Sequence, residues 1–231
     1  MTEYLVFTLS ATLGAMGDLA GHERRGSLGW PGRSAVLGLC AAALGIRRED
    51  TAGLAALDPL RMAVAIFDEG TPLRDYHTVQ TVPTAAAKRP DSRPAALREA
   101  GRRVNTTITL RDYRQGPLFG VALWGAELEP LCAALKRPVF TLYLGRKSCP
   151  LSAPLVPGLV EAEGPEAALS RVTLPPWRAG AVARLIASDA DAGLAGREEW
   201  RQDQPIDRAA WHFAPRRVVL AQADIAPGEG P

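Results

Sequence analysis

At 231 residues and 47% hydrophobic, the chain has ample apolar material for one large domain or two small ones. A formal charge of +2 and a pI near 8.6 do not by themselves announce nucleic acid, so the placement of the charges matters more than their sum. Cys40, Cys132 and Cys149 form no C-x-x-C pair, no secretory signal follows Met1, and no apolar run reaches the roughly 18 residues of a membrane helix. These features disfavour a zinc or disulfide framework and a membrane protein, and they predict a soluble cytoplasmic one.

Tyr4 to Leu9 is a run of β-formers that barely alternates, which predicts a strand buried on both faces. Ala11 to Gly29, with five glycines and the cluster His22-Glu23-Arg24-Arg25, reads as a long loop, functional or disordered. Trp30 to Ile46 reads as a helix. Gly32 is its N-cap, Gly45 its stop, and Val36, Leu37, Cys40, Ala43 and Leu44 its buried stripe. Asp50-Thr51 with Leu54 and Leu57 suggests a further helical turn. Leu60 to Asp68 is the second strand. Thr71 to Val82 is polar and extended, and Thr106 to Tyr113 alternates and should pair back near Thr78 as a hairpin. Between them, Pro83 to Asn105 has almost no large apolar residue. Its Lys88, Arg89, Arg93, Arg98, Arg102 and Arg103 stand against Asp91 and Glu99, so it reads as the mobile basic tip of a projecting arm.

Leu118 to Trp124 is predicted as a buried strand, Glu127 to Lys136 as a helix with Pro130 in its first turn, and Val139 to Leu144 as the next strand. The order β-α-β, arm, β-α-β is the ferredoxin-like pattern. After Pro150 the texture changes. Leu159 to Glu163 reads as a short strand, Pro165 to Ser170 as a short helix, Val182 to Ser188 as a strand and Ala190 to Pro205 as a polar loop. Trp211-His212-Phe213 and Arg216 to Ala221 read as a closing hairpin turning at Ala214-Pro215, and Ile225 to Pro231 as a frayed end. The expected class is α+β, with a ferredoxin-like (RRM-like) domain over 1–150, an arm over 71–113, and a smaller β-rich region over 151–231.

Three stretches carry residues suited to an anion or a base. At the entrance of the first helix, Arg33 and Ser34 lie where unpaired amides and the positive dipole end suit a phosphate; the plainer alternative is a core helix that caps itself with Ser34. Gly145-Arg146-Lys147-Ser148 after Tyr143 combines close backbone approach, two cations and a hydroxyl, or is an ordinary turn with solvated cations. Arg74, Tyr76 and His77 fit either base stacking with phosphate contact or metal-independent RNA cleavage. Cys149 lacks a paired base and is not read as a nucleophile. Isolated His22 is expected at the surface and His212 half-buried.

The strings Leu73 to Thr81, Leu144 to Leu151 and Pro31 to Leu39 followed by Leu44-Gly45-Ile46, with Val121 to Trp124, resemble the CasD subunits of the type I-E CRISPR Cascade complex, in the RAMP superfamily. The resemblance runs from about Tyr4 to Leu155. It implies a subunit that caps the 5′ handle of the guide RNA. It also implies an arm that reaches over the RNA against the adjacent backbone subunit, a contact with the large subunit, and only indirect engagement of target DNA. Its RNA contacts would fall at Arg33 and Ser34, at Arg74, Tyr76, His77 and Arg111, and at Tyr143, Gly145, Arg146, Lys147 and Ser148. No catalytic residue, metal or cofactor is implied. The alternative is a repeat-processing endoribonuclease using Tyr76, His77 and Lys147.

Overall fold

The computed structural model describes residues 1–20, 23–208, 210 and 212–228, without the side chains of 18–20. The chain is mixed α/β and mostly strand. Strand β1 (Thr2–Ser10) sends Leu5, Phe7 and Leu9 into one core and Tyr4 and Val6 into another, so it is buried on both faces. Helix α1 (Arg33–Leu44) starts at Gly32 and stops at Gly45, whose φ of 76° is the left-handed C-cap conformation. Its Val36, Leu37, Cys40 and Ala43 are buried. A short helix α2 (Thr51–Ala55), capped by the Asp50 side chain, leads to strand β5 (Arg61–Asp68). Strand β8 (Leu118–Trp124) and helix α4 (Glu129–Lys136) follow the arm, with Pro130 in the first turn of α4.

Between β1 and α1 the expected loop in fact holds three short strands, β2 (Leu13–Gly14), β3 (Gly17–Ala20) and β4 (Arg24–Ser27). Of these, β2 and β4 pair with the arm and β3 pairs with β4; the arm consists of β6 (Thr71–Thr81) and β7 (Asn105–Gln115) in antiparallel register, with Thr78 facing Ile108. The hairpin expectation holds. The tip, however, is not shapeless. It folds helix α3 (Arg93–Ala100), whose N-cap Ser92 accepts the Ala95 N–H through its side chain, and Ala86, Ala87, Ala96 and Ala100 are buried. Small side chains supply a core that the absence of large ones had seemed to forbid.

The segment Val139 to Leu144 is not a strand. The N–H groups of Val139 and Phe140 donate to Ala43 O and Ala42 O in the last turn of α1 instead of to a ladder. The place beside β1 belongs to β9 (Gly158–Ala162), which is antiparallel to it. Helix α5 (Pro165–Leu169) then packs on the sheet face opposite α1 and α4. Strand β10 (Ala183–Asp189) pairs with β5.

The expected polar loop over 190–205 is mostly strand β11 (Arg197–Asp207), and the expected turn at Ala214-Pro215 lies inside one long strand, β12 (His212–Ile225). Pro215 is tolerated because β10 pairs only the later part of β12. The reversal falls between Asp207 and His212. Trp211, like His22 and the last three residues of the expected frayed end, lies outside the described residues. All seven strands β11-β12-β10-β5-β8-β1-β9 form one antiparallel sheet, which is continuous across residue 150. No helix among the described residues is long and apolar enough to cross a membrane.

Candidate nucleic-acid interface

The arm is built from β-branched residues, Thr78, Val79, Thr81, Thr106, Thr107, Ile108 and Thr109, which favour an extended ribbon even where neither face is covered. Side chains alternate between its two faces. One face carries Arg74 opposite Asp112, Tyr76 opposite Leu110 and Thr78 opposite Ile108. The other carries Leu73 opposite Tyr113, Asp75 opposite Arg111 and His77 opposite Thr109. Tyr76 is 69% exposed and Ile108 56%, so the ribbon offers an aromatic ring to solvent.

At the base of the arm, strand β4 joins β7 in parallel, placing Arg24 beside Leu110 and Arg25 beside Arg111. Arg24 donates from Nε and Nη2 to Asp112 Oδ2 at 3.0 and 2.8 Å, and Arg74 donates from Nε to Asp112 Oδ1 at 2.7 Å. Hydrogen bonds from Arg74 and Arg24 hold the Asp112 carboxyl down at about 2, against the smaller opposing effect of burial. The same carboxylate raises the Arg74 guanidinium.

The turn after Leu144 closes on itself and onto the arm. Leu144 N–H donates to Cys149 O, and Cys149 N–H to Arg146 O, both at 2.8 Å. At Gly145, φ is +85° and a Cβ would meet Ala15 O at 1.7 Å, so only glycine fits. Arg146 lies 4.7 Å above the Tyr113 ring and donates to Asp112 O and Arg25 O at 3.1 and 2.9 Å. Lys147 and Ser148 are exposed, and Tyr143 is half-exposed beside them. The structure therefore brings Arg74, Tyr76, Arg111, Arg146 and Lys147 to one arm base, together with Arg24, Arg25 and Asp112. Residues of the expected loop were not read as site residues; the adjacent Arg24-Arg25 pair in a glycine-rich stretch was the signal for them.

The helix entrance is a different matter. Arg33 is 4% exposed. Its Nη1 and Nη2 donate to Leu60 O and Asp58 O at 2.6 and 2.7 Å, and its backbone N–H donates to Asp203 Oδ2 at 2.8 Å. A carboxylate of the chain thus occupies the place expected for phosphate. Burial draws the Arg33 guanidinium below its ordinary value. Arg216 donates to both Asp203 oxygens and to Asp189, completing a buried charge network. The Ser34 carbonyl is approached by Arg208. Arg33 therefore belongs to packing and not to an open anion site, while Ser34 beside it is half-buried.

A cleft of about 750 Å³ opens beside this network, lined in part by Arg61, Trp124, Asp191, Arg216 and Arg217. It lies at the other end of β5 from the arm. Its cations are already matched, Arg61 with Asp191, Arg216 with Asp189 and Asp203, and Arg217 with Glu198. Tyr76 and His77 point to opposite faces of the ribbon, so they do not converge on one reacting atom.

Residues 4–219 match the family described as CRISPR-associated protein (Cas_Cas5). The chain is 37% identical over 183 residues to the CRISPR system Cascade subunit CasD of Escherichia coli (strain K12), covering 73% of this chain and 76% of that one. It is similar to a solved CRISPR RNA-guided surveillance complex chain, with a TM-score of 0.71 and 23% identity over 98% of this chain and 94% of that one. A structure titled "Crystal structure of Cas protein" matches with a TM-score of 0.69 and 28% identity, covering 99% of each chain.

Proposed function

The chain belongs to the Cas5 family of CRISPR-associated proteins, and from that premise we propose that it is a non-catalytic, RNA-binding subunit of a Cascade surveillance complex. In this reading it holds the 5′ handle of the guide RNA at the arm base and contacts an adjacent backbone subunit and the large subunit, reaching target DNA only through the assembly. The β5-β8-β1-β9 order, with α1 and α4 on one face, supports a ferredoxin-like core. The observation that carries the reading is the gathering of cations on both faces of the arm base, with Arg24 and Arg74 on the face of exposed Tyr76, Arg25 and Arg111 on the other, and Arg146 against Tyr113 of that second face. Cations satisfy the RNA backbone, and an exposed aromatic accepts an unstacked base.

Within that surface the contacts are assigned to Arg74, Tyr76, His77, Arg111, Tyr143, Gly145, Lys147 and Ser148, with Arg146 also bracing the turn. The test is incubation of the purified protein with CRISPR-repeat RNA in EDTA. Retention of intact RNA supports a binder. Specific cutting that disappears in His77→Ala overturns it in favour of an endoribonuclease.

A further inference from the structure

Resting on the RNA-binding reading, we propose that Asp112 is the positioning residue of a single-nucleotide subsite: it holds Arg24 and Arg74 as a clamp for one phosphodiester, beside Tyr76, on which the adjoining base stacks. Neither Asp112 nor Arg24 stands out in the sequence as a binding residue, because the two come together only through pairing of β4 with β7.

The geometry is specific. Arg24 comes from β4, Arg74 from β6, and Asp112 from the strand between them. Each guanidinium spends its Nε/Nη2 edge on the carboxylate. The side chains of Arg24 and Arg74 remain 60% and 42% exposed, and the Arg74 guanidinium also interacts with the Tyr76 hydroxyl. The carboxylate therefore orients two forks without covering them. Two cations on one anion leave a local charge of +1, which a phosphodiester can neutralise by bridging the two exposed guanidinium groups.

The neighbouring row gives the base its place. Arg24, Leu110 and Tyr76 stand abreast across β4, β7 and β6, because Leu110 is the register partner of both Arg24 and Tyr76. The exposed Tyr76 ring is thus one row from the clamp, on the same face. A base can stack on it only if released from a duplex, so the ligand class is single-stranded RNA.

Charge alone and positioning predict opposite results for one substitution. If Asp112 merely offsets two arginines, Asp112→Asn adds a positive charge and tightens binding. If it positions them, Asp112→Asn loosens the clamp and weakens binding. The experiment is titration of the full chain with fluorescently labelled CRISPR-repeat RNA, comparing wild type, Asp112→Asn, Asp112→Glu and Arg24→Gln, with folding checked by circular dichroism. Asp112→Asn and Arg24→Gln are expected to lose about tenfold in affinity, the scale of a lost charge-assisted contact, and Asp112→Glu to recover part of it. In parallel, Arg Nε–H NMR signals of Arg24 and Arg74 should shift together on addition of a phosphorylated dinucleotide, and not in Asp112→Asn. Equal or tighter binding by Asp112→Asn, or unmoved Arg24 and Arg74 signals, overturns the clamp while leaving RNA binding by the arm base standing. Failure of wild type to bind repeat RNA at all overturns the RNA-binding reading itself, and the clamp with it.

Discussion

Asp203 Oδ2 accepts the backbone N–H of Arg33 at 2.8 Å, across 170 residues of sequence. This bond closes the first helix with a carboxylate from the hairpin of β11 and β12, and it ties the two ends of the chain together. The same carboxylate takes both forks of Arg216. Burial pulls the Arg216 guanidinium down, but the hydrogen bonds and charges of Asp203 and Asp189 more than offset it and leave it raised.

Arg33 and Asp203 are therefore expected to matter for folding and not for RNA. Asp203→Ala leaves Arg216 and the α1 amide without their main acceptor. It should cost about 3–5 kcal/mol, the scale of breaking a buried charge pair from one side. Urea unfolding measures this. Arg33→Gln should lower the same unfolding midpoint, while the folded fraction binds repeat RNA with wild-type affinity.

Asp112 makes a pH prediction. Its carboxyl is held at about 2, below its ordinary value, so the stabilisation it shares with Arg74 and Arg24 is fully present above about pH 4 and is lost as pH falls toward 2. Carbon-detected NMR of the Asp112 carboxyl should show this low midpoint. In Arg74→Gln the midpoint should move up toward the ordinary carboxylate range. A wild-type midpoint already in that range would remove the two-arginine clamp from solution.

Gly145 and Gly116 separate crowding from backbone conformation. Both have positive φ, +85° and +67°, but only at Gly145 would a Cβ strike backbone, at Ala15 O; at Gly116 there is open space. Gly116→Ala should cost about 1–2 kcal/mol, the left-handed conformation alone. Gly145→Ala should cost clearly more, because the turn must move off β2 and its approach. Thermal unfolding of the two variants decides this, and Gly145→Ala should also lower RNA affinity as the turn bearing Lys147 and Ser148 is displaced.

Ser92 tests the arm tip. Its side chain accepts the Ala95 N–H at the start of α3. Ser92→Ala should cost this small helix about 1 kcal/mol. Hydrogen exchange of the Ala96 and Gly101 amides, which donate to Ser92 O and Leu97 O at the two ends of α3, should quicken in the variant while β6 and β7 keep their protection. Equal exchange in both proteins would mean that α3 is not held by its cap.

What was legible in the sequence had strong periodicity. β1, α1, β5, β8, α4 and the β6–β7 ribbon carry runs, alternation or glycine stops that local physics alone interprets. Three kinds of feature were hidden. The apolar run at Val139 resembles a strand, but its N–H groups serve the end of α1, a choice made by distant backbone. β11 is polar because its charges are answered across the ladder, as Arg217 answers Glu198, so composition alone suggested a loop. Arg33 looks like an anion ligand until Asp203 is brought to it. The arm-base residues were legible as chemistry, through Arg74, Tyr76 and Arg146. Arg24 and Asp112 were not, because only sheet pairing makes them neighbours.

In the proposed function, the guide RNA lies on the arm base. The most direct test of this placement is photocrosslinking in the assembled ribonucleoprotein, with 4-thiouridine placed through the 5′ end of the guide and adducts mapped by mass spectrometry. Adducts are expected on the peptide containing Tyr76 and on the turn from Tyr143 to Ser148. Adducts confined to the cleft around Arg61 and Arg217, or none on this chain, would contradict the placement.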